Sequence, residues 1–539
     1  MLTIKIQCPC GQKYAFDIEP VGGRMPSPVA CPVCGADGTA AANQIIVQHL
    51  PAQAASAPGA PVPRRPAGSG ARNKWLVAAI VGAVVLVAAA GGLLFWRGHQ
   101  TKAESPAPAQ AAKDGRPHTL AELNQWYAEP PAGQNAATLF QKGFEALQIT
   151  PADENSPNLP LVGKGPFPLP GNPLLPAMKS AVAGFVQRNQ SALSCFEQGA
   201  KCEQSRYPID LTQGASMRLP HLAKLKGAAQ LEVLVSLLKA DAKQPAEAAD
   251  AILMALAAGR SLESEPLLIS QLVRRACLTL AGEGLERTLN QVALPPAALG
   301  RLKQAFDQAE AREASGTNFT CAVVGERVFG LEQFDATLEQ LQDFMKGATG
   351  LPTEQVDALK AFMANPDKNR KIEREFWEET FRQVLAARKE AFPARLKTED
   401  IYNSRVMEAK SKGLFFCRLM LPALGSKKEA GSLAHLRLSQ TALALERFRA
   451  AHDNRYPDAL GELSPQLLPA VPVDPFDGQP LRYRKQDTGY LLYSIGPDLK
   501  DDGGQRPSVG KGDSTSGTSD LVFEVIKPPS ATPASASQS

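Results

Sequence analysis

Residues 444–463 read ALERFRAAHDNRYPDALGEL, residues 474–484 DPFDGQPLRYR and residues 489–504 GYLLYSIGPDLKDDGG. Leading into the first stretch, Leu438, Ala442, Leu445 and Phe448 recur at helical spacing. The stripe runs out at His452-Asp453-Asn454, and Pro457 forbids its continuation. Further on, Leu481–Arg484 and Tyr490–Ser494 are short β-prone runs joined by residues 485–489 as a hairpin, and Leu521–Ile526 offers a third strand. The expectation is an α+β domain over residues 430–527, with a helix packed on a small antiparallel sheet. The Pro-, Ala- and Ser-rich tail 528–539 reads as disordered.

These segments resemble the C-terminal globular part of the type II secretion major pseudopilin. The correspondence rests on Asn454-Arg455-Tyr456-Pro457 at the helix end, the loop Asp474–Pro480, and Ser494–Asp498. In that family the loop after the hairpin binds calcium, so the resemblance implies Asp498, Asp501, Asp502 and Asp520 as calcium ligands. Calcium takes six to eight oxygens, and the spacing here is not that of an EF-hand. A solvated Gly- and Ser-rich loop is the competing reading. The chain departs from the family in having no hydrophobic helix continuous with this domain, so filament polymerisation is not implied.

Far upstream, residues 75–96 read WLVAAIVGAVVLVAAAGGLLFW, a stretch without charge and long enough to cross a hydrocarbon core. Tryptophans at both ends and basic flanks fit a transmembrane anchor. The positive-inside balance is nearly even, with Arg64, Arg65, Arg72 and Lys74 before the span and Arg97, Lys102, Lys113 and Arg116 after it. Cysteines decide the orientation. Cys8, Cys10, Cys31 and Cys34 lie in CPCG and CPVCG, the spacing of a structural zinc ribbon over residues 1–50. The first knuckle, with a single intervening residue, is tighter than usual. Lys5, Ile6, Tyr14, Phe16, Ile45 and Val47 flank the knuckles as short strands. Reduced thiolates place that side in the cytosol. The expected topology is a single-pass protein of the bacterial cytoplasmic (inner) membrane, with a linker over 51–74, a second over 97–117, and a periplasmic body over 118–425.

That body reads as helical. Ile269, Leu272, Val273, Ala276, Cys277 and Leu280 make one apolar face, and two shorter stripes precede it at 222–237 and 249–256. Short connections imply antiparallel neighbours in an irregular bundle or short solenoid, since no 34-residue period recurs. Further helices are expected over 320–345, 354–363 and 368–391, the last heavily charged and therefore solvated.

The chemistry-bearing residues of the body read as structural. His221 follows Pro220 and reads as a partly exposed residue at a helix start, and Cys277 as a buried, inert thiol. Cys195 and Cys202 are seven apart, beyond disulfide reach on an unbroken helix, although a break at Gly199 would let an oxidising compartment join them. No metalloprotease, nucleophile-elbow or phosphate-loop motif is present. A net charge of +4, from 58 basic and 54 acidic residues with no clustered basic face, gives no footprint for nucleic acid. The sequence therefore points to a non-enzymatic, membrane-anchored scaffold or interaction protein with protein partners from a secretion machine or the cell envelope. A cell-envelope sensor coupled to the zinc ribbon is the alternative.

Overall fold

The computed structural model describes residues 2–7, 13–18, 29, 39, 42, 115–335, 337, 339, 353–421, 425–506 and 520–526. The chain divides into two compact units, Met1–Gly70 and Ala71–Ser539. In the first, β1 (Leu2–Gln7) and β2 (Lys13–Ile18) form an antiparallel hairpin with Ile4 opposite Phe16 and Ile6 opposite Tyr14. Lys5, Ile6, Tyr14 and Phe16 thus lie in strands, while Ile45 and Val47 fall outside the described residues.

In the second unit proline opens six of the described helices. Its fixed φ suits the first turn, where an N–H would have no partner. The helices are α1 (Leu120–Trp126), α2 (Ala136–Ala146), α3 (Pro151–Asn155), α4 (Pro176–Arg188), α5 (Gln190–Ala200), α6 (Pro220–Asp241), α7 (Pro245–Arg260), α8 (Leu268–Leu289), α9 (Pro296–Ser315) and α10 (Thr317–Gln333). They continue as α11 (Thr353–Ala364), α12 (Pro366–Ala387), α13 (Lys397–Ser411), α14 (Phe415–Met420) and α15 (Ser426–Ala451). Gly316 breaks α9 from α10 at φ +67°, and a Cβ there would collide with the Arg395 guanidinium. Glycine meets both demands.

The apolar interior forms three clusters. One joins α1, α2, α4 and α5 to α6, a second joins α10 to α14, and the third joins α7, α8 and α9 to α15 and the sheet. The sheet is antiparallel in the order β3 (Arg482–Lys485), β4 (Tyr490–Ser494), β5 (Leu521–Val525), with β4 buried along its length. α15 lies between this sheet and helices α8 and α9, so it is buried nearly all round rather than along the expected single stripe. At its end Asp453 and Asn454 adopt left-handed φ of 51° and 61°, a conformation short polar side chains tolerate, and Tyr456 donates to Glu446 Oε1 at 2.7 Å.

One element of the expected fold class is corrected. Among the described residues no helix is long and apolar enough to cross a membrane, so a single transmembrane helix is not seen among them. The longest helices, α6, α8, α12 and α15, carry charges along their length, Arg274, Arg275, Glu283, Glu286 and Arg287 on α8 alone. Residues 75–96 lie outside the described residues.

Candidate functional site

α8, α15 and β5 meet around a cavity of about 80 Å³ lined by charged and polar groups. Gly282 permits the approach of the two helices, since a Cβ there would lie 3.0 Å from Ser439 Oγ. One turn along α8, Glu286 Oε1 accepts the Glu524 N–H at 2.7 Å. Asn290, a further turn on, accepts from the Ile526 N–H at 2.9 Å and donates to the Glu524 carbonyl at 2.8 Å. Side chains of a helix thereby cap the free edge of β5, which would otherwise be a template for another strand. In the antiparallel register Val522 presents its peptide groups to the same side as Glu524, and it does so where the cavity opens.

His435, Glu283, Arg506 and Asp520 complete the lining. Burial, with Arg506 nearby, pushes the His435 imidazole down to about 4, so the ring is neutral near pH 7. Burial likewise raises Glu283, against the opposing pull of Arg287. The volume suits two or three waters, at roughly 30 Å³ each. Ser439 donates its hydroxyl to the His435 carbonyl at 2.9 Å, so it is not poised as a nucleophile on the imidazole.

Of the aspartates expected to bind calcium, Asp520 alone lines this cavity. Its carboxylate accepts the Gly504 N–H at 2.6 Å and the Asp502 N–H at 3.3 Å, fastening the loop after β4 to the start of β5. Burial raises its pKa despite those bonds, with Asp501 and Asp502 adding repulsion. Asp498 and Asp501 accept the N–H groups of Lys500 and Gly503 within their own turns. Among the described residues no group of three or more His, Cys, Asp or Glu is placed to hold a metal ion. The zinc-ribbon residues Cys8, Cys10, Cys31 and Cys34 lie outside the described residues.

The loop that opens the sheet is anchored by Asp474, which is fully buried. It accepts from the N–H groups of Phe476 (3.0 Å) and Ile495 (2.9 Å), from Ser494 Oγ (2.9 Å) and from Arg482 Nη1 (2.9 Å). Arg482 also grips Asp477 and lies 3.6 Å from Asp501 Oδ2.

Other expected residues fall differently. His221 is only 5% exposed rather than partly exposed as expected, with Nε2 at 3.1 Å from both oxygens of fully buried Glu265. Ser270 and Tyr127 donate to the same carboxylate at 2.5 and 3.3 Å, and Tyr207 stacks on the imidazole at 4.3 Å. Cys277 is fully buried and its thiol pushed up to about 12 by burial. Cys195 and Cys202 are both free thiols; Gly199 sits inside α5 against Phe140, and the helix ends one residue later at Ala200, so Cys202 lies beyond it.

Sequence reasoning missed a second polar cluster, where α8, α9, α12 and α15 meet. Arg388 binds buried Glu429 through two bonds of 2.9 Å, and Arg395 joins at 3.4 Å. Arg275 and Arg274 hold Glu313, and the Phe319 ring lies between Arg275 and Arg388 at 4.3 and 4.4 Å. Pairing of this kind is what allows charges into an interior, and no apolar periodicity announces it. Comparison with known proteins finds no matching family model, no similar curated protein and no similar solved structure.

Proposed function

We propose that this chain is a non-enzymatic scaffold or interaction protein that works with a type II secretion or pilus-like machine. The observation that carries the reading is how its reactive side chains are engaged. His221 and Ser270 both bond Glu265, Ser439 bonds a carbonyl, and the buried thiols of Cys277 and Cys417 are raised far from thiolate character. A catalytic group has to reach a substrate, and these side chains are turned onto partners or buried inside the protein. The secretion half of the proposal rests on the resemblance of Asn454–Pro457, Asp474–Pro480 and Ser494–Asp498. These segments form the corners of the helix-on-sheet part, where they hold the helix end, the first loop and the exit from β4.

The test is brief crosslinking in the protein's own cells followed by mass spectrometry of what the full-length chain captures. Secretion-channel or pseudopilin subunits are expected, joined through exposed lysines of the C-terminal part such as Lys427 and Lys485. Recovery of bystanders only, in proportion to their abundance, overturns the reading. Deleting the C-terminal part is not a usable control, because α15 shares its core with α8 and α9.

A further inference from the structure

The four carboxylates implied for calcium do not fit that ion in their described arrangement. Calcium needs six to eight converging oxygens. Here both oxygens of Asp520 are engaged by backbone N–H groups, one oxygen each of Asp498 and Asp501 accepts the amide of Lys500 and of Gly503, and the other oxygen of Asp501 faces Arg482. What stands among the acids of this corner instead is a guanidinium.

Arg482 projects from β3 with its side chain only 20% exposed. It reaches Asp474 Oδ2 at 2.9 Å, grips Asp477 through both Nη atoms, and lies 3.6 Å from Asp501 Oδ2 in the loop after β4. The opening loop of the sheet, β3 that directly follows it and the loop 498–504 are thus all in reach of one positive charge. A planar guanidinium offers five donors in a fixed fork, suited to several carboxylates at once.

We propose that Arg482 is the resident cation of this corner, a covalently attached charge in the neutralising role that a divalent ion would otherwise take, so that closure of the 498–504 loop onto the sheet is independent of calcium. Hydrogen bonds to Asp477 strengthen the protonated form of Arg482, as the arrangement requires. The inference concerns how the domain is held shut and stands whether or not the chain works with a secretion machine.

The experiment is thermal unfolding of the purified full-length protein in excess calcium and in chelator, for the natural chain, Arg482→Gln and Arg482→Lys. The natural chain is expected to melt at the same temperature in both conditions. Arg482→Gln is expected to melt roughly 3–8 °C lower, with Arg482→Lys between the two, because lysine keeps the charge and loses the fork. A natural chain that melts higher in calcium overturns the proposal. So does an Arg482→Gln variant that melts with the natural chain, or a lysine variant no better than the glutamine one. Should Arg482→Gln fail to fold, the calcium comparison on the natural chain and the lysine variant still decide the matter.

Discussion

The two arginine–carboxylate clusters of this molecule balance their charge from opposite sides. In the helical knot four guanidinium groups, Arg274, Arg275, Arg388 and Arg395, face two buried carboxylates, Glu313 and Glu429. At the sheet corner three carboxylates, Asp474, Asp477 and Asp501, face one guanidinium, Arg482. Backbone dipoles make up both deficits. In the knot, Arg388 and Arg395 donate to the carbonyls of Gly316 and Ser315 at the C-terminus of α9, the negative end of that helix. At the corner, N–H groups of Phe476, Ile495, Gln479 and Gly503 point at the acids. Excess cations are housed at a helix C-terminus and excess anions in turns rich in free amides.

The largest expected effect tests the knot. Glu429 is fully buried and neutralises Arg388 while reaching Arg395, so Glu429→Ala leaves two interior guanidinium groups without their shared anion. Breaking a buried pair from one side costs about 3–5 kcal/mol. Denaturant unfolding of the full-length chain should show that loss. A loss under about 1 kcal/mol would mean that the α9 carbonyls alone suffice, and the comparison would fail. At the corner, Asp474→Ala removes the acceptor of two buried amides, a hydroxyl and a guanidinium, and should cost about 2–4 kcal/mol by the same measurement.

These clusters also mark where the sequence stops being legible. The ending of α15 could be read, because proline and paired Asp-Asn impose their own backbone geometry whatever surrounds them. The three C-terminal strands stand within a residue of where their aromatic and aliphatic runs placed them. On α8 the expected apolar face is buried at Cys277 but only half-buried at Ile269, Leu272, Val273, Ala276 and Leu280, whereas Ser270, Gln271, Arg274 and Arg275 are buried. Periodicity assigns charges to solvent, but here Glu313 from α9 takes them inside. α12, expected to be solvated, buries Trp377 and Glu373, the latter accepting the N–H groups of Phe415 and Cys417. His221 was misplaced for the same reason, since its partner Glu265 is 44 residues away and nothing local reveals it. Such pairings are tertiary facts. The aspartates of the loop could be found from the resemblance, but their commitment to backbone amides and to Arg482 could not.

On α10 stands a carboxylate with one amide and no guanidinium bonded to it. Glu326 accepts only the Leu268 N–H, at 3.1 Å, and burial pushes it up to about 7. The sign follows from where the proton resides. The unfolded chain releases it near the ordinary value of 4.5, while the folded chain keeps it until about 7, so this group's contribution to stability falls as pH rises through that window and is level above it. His435, held down to about 4, works the other way, its contribution growing as pH rises from about 4 to the ordinary imidazole value of 6.5. Glu326→Gln keeps an acceptor for Leu268 and removes the titration. It is expected to stabilise the protein by about 3 kcal/mol above pH 7 and to leave it unchanged below pH 4.5. The difference between the variant and natural curves of stability against pH isolates this residue, and a flat difference would remove Glu326 as the cause.

The smallest expected effect is the sharpest test of the asymmetry. Asp501 is nearly half exposed, its separation from Arg482 Nε is 3.6 Å, and its other partners are the Gly503 amide beside it and the Tyr493 hydroxyl. Exposed pairs contribute about 0–1 kcal/mol. With Asp474 and Asp477 still bound to Arg482, Asp501→Ala should cost less than about 1 kcal/mol, although it removes a carboxylate from the same guanidinium whose loss is expected to loosen the whole corner. In the knot the anions are scarce and each one matters; at the corner they are in excess and the cation is the scarce partner. Equal losses for Glu429→Ala and Asp501→Ala would abolish that distinction, and a double variant Asp501→Ala/Arg482→Gln no less stable than Arg482→Gln alone would show that Asp501 acts only through the arginine.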